Sequence, residues 1–147
     1  MAQILFRVNK NLACHALSQY LPLSNRMIPS LLLSHYGAGE CLLTKFVNRT
    51  GFLDIIWAGA FTNEAIAHLH NDEIGLTLAC LPPPDQLIDH SLLAALRKPE
   101  KLLLTAQYPF YLYSHYELCP TAFLNEPYSF SQFQLALESC LSGQLNE

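Results

Sequence analysis

The stretch from Leu102 to Leu141 reads LLLTAQYPFYLYSHYELCPTAFLNEPYSFSQFQLALESCL, and its order of segments decides the fold class. Residues 101–105 form an apolar run that ends in Thr105, and residues 121–124 form a second short β-rich run. Between them lies an aromatic connection carrying Tyr108, Phe110, Tyr111, Tyr113 and Tyr116. After Ser129, at an N-cap position, Phe133, Leu137 and Leu141 recur at helical spacing, which predicts a helix over 130–141. The unbroken Leu102-Leu103-Leu104 has no polar alternation, as expected of a strand covered on both faces.

The same rhythm continues toward the amino terminus. An apolar run over 75–80 ends in Cys80 and stops near Pro82, Pro83 and Pro84, which stiffen the loop and start the next helix. Leu87, Ile88, Leu92, Leu93 and Leu96 then predict a helix over 85–96. A strand over 53–58 precedes a helix over 62–69, with Thr62 or Asn63 as N-cap and Ala65, Ile66 and Leu69 on one face. A strand over 3–8 precedes a helix over 11–21 marked by Leu12, Ala16, Leu17 and Tyr20. Residues 22–52 are too long for a simple connection. Within them, 27–36 read as a helix stopping at Gly37-Ala38-Gly39, and 40–48 as another helix or an extension toward the next strand. Strands alternating with helices in this way imply βαβ units, right-handed crossovers and a mostly parallel sheet.

Composition narrows the function classes. With 147 residues, 51% hydrophobic and 14% charged, the chain reads as a single domain over 1–147. A net charge of -4 without a Lys/Arg cluster argues against direct nucleic-acid binding. The start of the chain lacks the pattern of a signal peptide, and no apolar run approaches the roughly 18 residues of a membrane span. Five scattered cysteines, Cys14, Cys41, Cys80, Cys119 and Cys140, without C-x-x-C, suggest reduced thiols in the cytoplasm. Neither a metal nor a cofactor is expected. His68 and His70, two apart on a helix, would point to different faces. Glu126 and Asp85 read as solvated charges in place of an acid–base pair.

The segment 102–141 resembles the end of a response-regulator receiver domain, of the type that precedes LytTR-type DNA-binding domains. Such receivers show an apolar strand, Thr-Ala, an aromatic helix, then Asp-Tyr-Leu-Leu-Lys-Pro-Phe and a final amphipathic helix. Thr105-Ala106 stands at the Thr-Ala, Phe123 at the strand aromatic, and Asn125-Glu126-Pro127 at Leu-Lys-Pro. Residues 4–21, 54–69 and 74–96 are similar to the first three strand-helix units, which leaves 22–52 as an insertion between the first helix and the second strand. The resemblance implies an α/β, flavodoxin-like (βα)5 three-layer sandwich with parallel strand order 2-1-3-4-5.

It also implies which residues stand at the phosphoacceptor site. The acidic pair falls on Val8 and Asn9, the phosphoacceptor on Cys80, the Lys on Glu126, and Thr105 alone matches. Val8 cannot ligate a metal, Asn9 is neutral, and a thiol is a poor ligand for Mg²⁺. Glu126 would repel the phosphoryl group that a Lys attracts. The implied function is a pseudo-receiver that takes no phosphate and acts on a regulatory protein or a second copy of itself. In receivers the contact face is the one that here carries Tyr108, Tyr111, Tyr113, Tyr116, Phe123 and Tyr128. Two other readings use the same pocket. Cys80 could serve a thiol redox switch or a cysteine enzyme, although no Lys, Arg or His lies beside it in sequence to lower its pKa. The emptied strand ends could instead hold a small ligand.

Overall fold

The computed structural model describes residues 27–35 and 41–145. Five strands and four α-helices follow in order: β1 (Ile28–Ser34), α1 (Leu42–Thr50), β2 (Leu53–Gly59), α2 (Glu64–Leu69), β3 (Leu76–Cys80), α3 (His90–Leu96), β4 (Leu102–Ala106), β5 (Ala122–Asn125) and α4 (Phe130–Leu145). A 3₁₀ helix, Phe110–Tyr116, joins β4 to β5. Every strand pairing is parallel, and the order across the sheet is β2-β1-β3-β4-β5. This is the flavodoxin-like arrangement.

The three layers follow from strand periodicity. All five residues of β3 and of β4 are buried, so alternate side chains enter two separate cores. Leu32, Leu78, Cys80 and Leu103 pack with Leu43 and Val47 of α1 and with Phe133 and Leu137 of α4. Leu31, Leu33, Ala79, Leu102 and Leu104 face the other way, onto Ala65 and Leu69 of α2, Leu92 and Leu96 of α3, and Tyr113 and Tyr116 of the 3₁₀ helix. Phe46 of α1 meets Tyr128, Phe130 and Phe133 at ring separations of 5.3–5.8 Å, and the Arg49 guanidinium lies 4.1 Å above Phe130. These contacts tie α1 to the start of α4. Among the described residues no helix is long and apolar enough to cross a membrane.

One assignment from sequence is corrected. The strand between β2 and β3 is Ile28–Ser34, inside the stretch read as an insertion, and the segment read as a helix over 27–36 is that strand. The strand and helix expected over 3–8 and 11–21 lie outside the described residues. Residues 22–52 therefore hold β1 and α1. Pro29 made this hard to see, because proline is unusual in a central strand. Its position removes the conflict. The Pro29 carbonyl accepts from Gly75 N at 2.8 Å, so the missing N–H would face β3 at a level before the β1–β3 ladder begins at Ser30 and Leu76. No ladder bond is lost.

Segment ends have local causes. Gly51, at φ 82°, closes α1 in the left-handed conformation that other residues rarely adopt. Ser129 and Gln132 form a reciprocal capping box at α4: Gln132 N donates to Ser129 Oγ at 3.1 Å and Ser129 N to Gln132 Oε1 at 2.8 Å. Helix α3 starts at His90, five residues later than the apolar stripe suggested, and Leu87 is left 95% exposed.

Candidate functional site

The carboxyl ends of β1, β3 and β4 meet at one level of the sheet. Ser34 pairs with Cys80, and Cys80 with Thr105, so three side chains form a row across adjacent strands. Each shares the parity of Leu32, Leu78 or Leu103, and the row therefore faces α1 and α4. Glu126 follows β5, two residues beyond Leu124, the partner of Thr105. Its Oε2 accepts a hydrogen bond from the Cys80 thiol at 3.5 Å. The peptide bond from Glu126 to Pro127 is cis.

The residues standing beside Cys80 at the end of β1 are Ser34 and His35. Val8 and Asn9 lie outside the described residues. Cys80, Thr105 and Glu126 do converge as the sequence implied. Cys41 joins them, a residue that sequence reasoning left unassigned. It occupies the N-cap of α1, with Ser34 Oγ donating to its sulfur at 3.8 Å and the Thr44 hydroxyl sharing a hydrogen bond with it at 3.3 Å. Ser34 links the two thiols: it is the strand partner of Cys80 and donates to the Cys41 sulfur.

The electrostatics separate the two thiols. The neighbouring Cys80 side chain, then those of Thr44 and Ser34, pull Cys41 down to about 5 against the opposing effect of burial. Cys80 is pushed up by the neighbouring Cys41 and by burial, with the Glu126 charge adding to the rise. Thr105 is fully buried, and its hydroxyl faces the Cys80 thiol and the Tyr128 phenol without a well-formed hydrogen bond to either. Tyr128 is held neutral chiefly by burial. Two thiols, the hydroxyls of Ser34, Thr44, Thr105 and Tyr128, and one carboxylate make a soft pocket. Such a set lacks the clustered hard oxygens that Mg²⁺ requires.

The aromatic connection divides into two groups. Tyr113 and Tyr116, two of the residues on the expected contact face, are buried. Tyr113 OH donates to the Pro82 carbonyl at 2.8 Å, Tyr116 OH to that of Gln86 at 2.7 Å, and His115 Nε2 lies 2.9 Å from the Pro84 carbonyl. A carbonyl only accepts, so His115 carries its proton on Nε2. These side chains staple the 3₁₀ helix to the loop after Cys80. Tyr128 is also buried, and Phe123 is half-covered by Phe110 at 5.0 Å. Tyr108, Phe110, Tyr111 and Leu112 are exposed, Tyr111 by 74%. Asn125 Nδ2 donates to the carbonyls of Ala106 and Tyr108, fixing where this surface begins. Arg97 donates to the Tyr116 and Glu117 carbonyls at 2.8 and 3.2 Å, closing the far end of the 3₁₀ helix.

Other sequence candidates disperse. His68 stacks on Trp57 at 4.9 Å, while His70 lines a cavity of about 450 Å³ with Asp72, Lys98, Glu100 and Lys101. That cavity lies at the amino-terminal ends of β3 and β4, opposite the thiol pocket.

No protein-family model matches the chain, and no curated protein matches it. Solved structures do. The signal receiver domain of the response regulator NarL from Mycobacterium tuberculosis superposes with a TM-score of 0.53 at 15% identity, over 80% of this chain and 98% of that one. A pilus assembly-related protein from Burkholderia pseudomallei gives a TM-score of 0.52 at 16% identity, over 79% of this chain and 90% of that one. At these identities the likeness establishes the fold.

Proposed function

We propose that the chain is a receiver-type signalling domain that takes no phosphoryl group and regulates by protein contact, first of all with a second copy of itself. The observation that carries this reading is the Cys80–Glu126 pair. A receiver needs a carboxylate nucleophile at the end of β3 and a cation to draw in the phosphoryl oxygens. Here a neutral, buried thiol gives its hydrogen bond to a carboxylate. An incoming phosphoryl group would meet like charge from Glu126 and no Mg²⁺-binding acids from Ser34 and His35. The domain acts in the cytoplasm as a regulator and not as an enzyme, in the manner of receivers attached to LytTR-type DNA-binding domains.

The contact surface is Tyr108, Phe110, Tyr111 and Leu112, with Leu87 on the adjoining loop. Aromatic side chains of this kind supply large contact area at low entropic cost and are enriched at interface hot spots. A small-molecule phosphodonor with Mg²⁺ tests the first half. Intact-mass spectra should show no added phosphoryl group, and stable incorporation that disappears in Cys80→Ala would overturn the reading. Sedimentation tests the second half. Tyr111→Asp and Leu112→Asp should each weaken self-association roughly tenfold or more, whereas a wild-type chain that stays monomeric at high concentration rules out the homodimer.

A further inference from the structure

Two cysteines from separate elements flank Ser34 in one core cluster: Cys41, at the N-cap of a nine-residue helix, accepts from its Oγ at 3.8 Å, and Cys80, at the end of the central strand, is its strand partner. They differ in three ways that suit successive roles. Cys41 keeps 8% of its surface open and Cys80 only 1%, so a small oxidant reaches Cys41 first. Cys41 receives a hydrogen bond from Ser34, shares one with Thr44 and stands at the N-cap of α1, an environment that favours a thiolate. Cys80 holds its proton but gives its hydrogen bond to Glu126, which is placed to remove that proton.

We propose that Cys41 and Cys80 form a reversible disulfide when hydrogen peroxide enters the pocket, with Glu126 as the base for Cys80. The Cys41 thiolate, its proton released to solvent, attacks one peroxide oxygen. An S–O bond forms, the O–O bond breaks, and the departing hydroxide takes a proton back from solvent to leave as water. Cys41 is then a sulfenic acid. Cys80 passes its proton to Glu126 and its sulfur attacks the Cys41 sulfur. The S–S bond forms, the S–O bond breaks, and the second oxygen leaves as water with the proton held by Glu126. The peroxide is reduced to two waters and the two thiols are oxidised to one disulfide. This inference goes beyond the contact function, and it stands whether or not the domain dimerises.

The test uses the full chain with hydrogen peroxide at stoichiometric amounts, followed by non-reducing peptide mapping. The expected product is a Cys41–Cys80 cross-linked peptide pair, two hydrogens lighter than the sum of its parts and separated again by dithiothreitol. Before oxidation, Cys41 should alkylate at mildly acidic pH roughly tenfold or more faster than Cys140, whose thiol burial keeps neutral. In Cys80→Ser, dimedone should trap a sulfenic acid on Cys41. The proposal is overturned if Cys41 stays reduced, or if it pairs with Cys14, Cys119 or Cys140 instead of Cys80. The wild-type peptide map decides the matter even where a variant fails to fold.

Discussion

Changing Tyr113 to Phe removes one oxygen and leaves the ring in place. Tyr113 is 1% exposed, and its hydroxyl donates to the Pro82 carbonyl at 2.8 Å in a buried setting. The ring contact with Tyr116, 5.6 Å between centroids, survives the change. What is lost is the donor for a buried carbonyl, and leaving such a group unpaired costs about 1–3 kcal/mol. Taking about 2 kcal/mol, a domain of this size should lose roughly 6–10 °C in Tm. Urea titration should show the same loss with an unchanged slope, since the surface exposed on unfolding is the same. Two companion changes set the scale. Tyr111→Phe, at a 74% exposed ring, should stay within about 0.5 kcal/mol of wild type. Tyr116→Phe should fall between them, because the Gln86 carbonyl it releases belongs to an exposed residue that water can reach. If Tyr113→Phe is no more damaging than Tyr111→Phe, the tyrosine does not pin the loop and the division of the aromatics into staples and surface is wrong.

Three further outcomes follow from the packing and the charges. Phe133, fully buried between the sheet and Phe46, should cost about 3–5 kcal/mol on change to Ala, a large share of a typical domain's stability, read by chemical denaturation. Arg97→Ala should destabilise by roughly 1–2 kcal/mol through its two carbonyl bonds, with little from the exposed 3.7 Å pair to Glu117, and Arg97→Lys should recover only part. Burial pushes Cys140 up to about 12 from a thiol's 9.0, and burial with the Tyr116 charge pushes Tyr113 up to about 12 from 10.0. Both stay protonated in the fold after the unfolded chain has lost the proton. Their contribution is complete below about pH 9 and should fall steadily as pH rises from 9 toward 12. Stability measured by urea titration across that range, beside tyrosinate absorbance, checks the sign.

Strands β3 and β4 were legible because a parallel sheet covered on both faces demands unbroken apolar runs, and Leu76–Cys80 and Leu102–Ala106 supply them; the edge strands β2 and β5 showed as short β-rich runs. The first strand was not legible. Residues 3–8 carry a plausible β pattern, while Ile28–Ser34 carries a proline whose harmlessness depends on where β3 starts. No local pattern contains that information. The error propagated: with 22–52 set aside as an insertion, the helix or extension read over 40–48 had no strand before it, and Cys41 had no strand-end neighbour. Its position before the amphipathic run of α1 was the available clue. Cys80, Thr105 and Glu126 could be set side by side because each lies at or just past the end of a legible strand. The tyrosines show a different limit. Their number suggested a sticky surface, but which of them face water depends on the loop Pro82–Gln86, and only the fold brings that loop alongside.

That loop has a mechanical consequence. Between the Cys80 sulfur and the carbonyl gripped by Tyr113 there is only the backbone of Leu81 and Pro82, the first buried and anchored by its N–H to Thr105 O at 2.8 Å. A chain this short and this tethered has no slack. A shift of Cys80 therefore strains those two hydrogen bonds first, and through the Tyr113 bond it bears on the 3₁₀ helix that carries the exposed Tyr111 and Leu112.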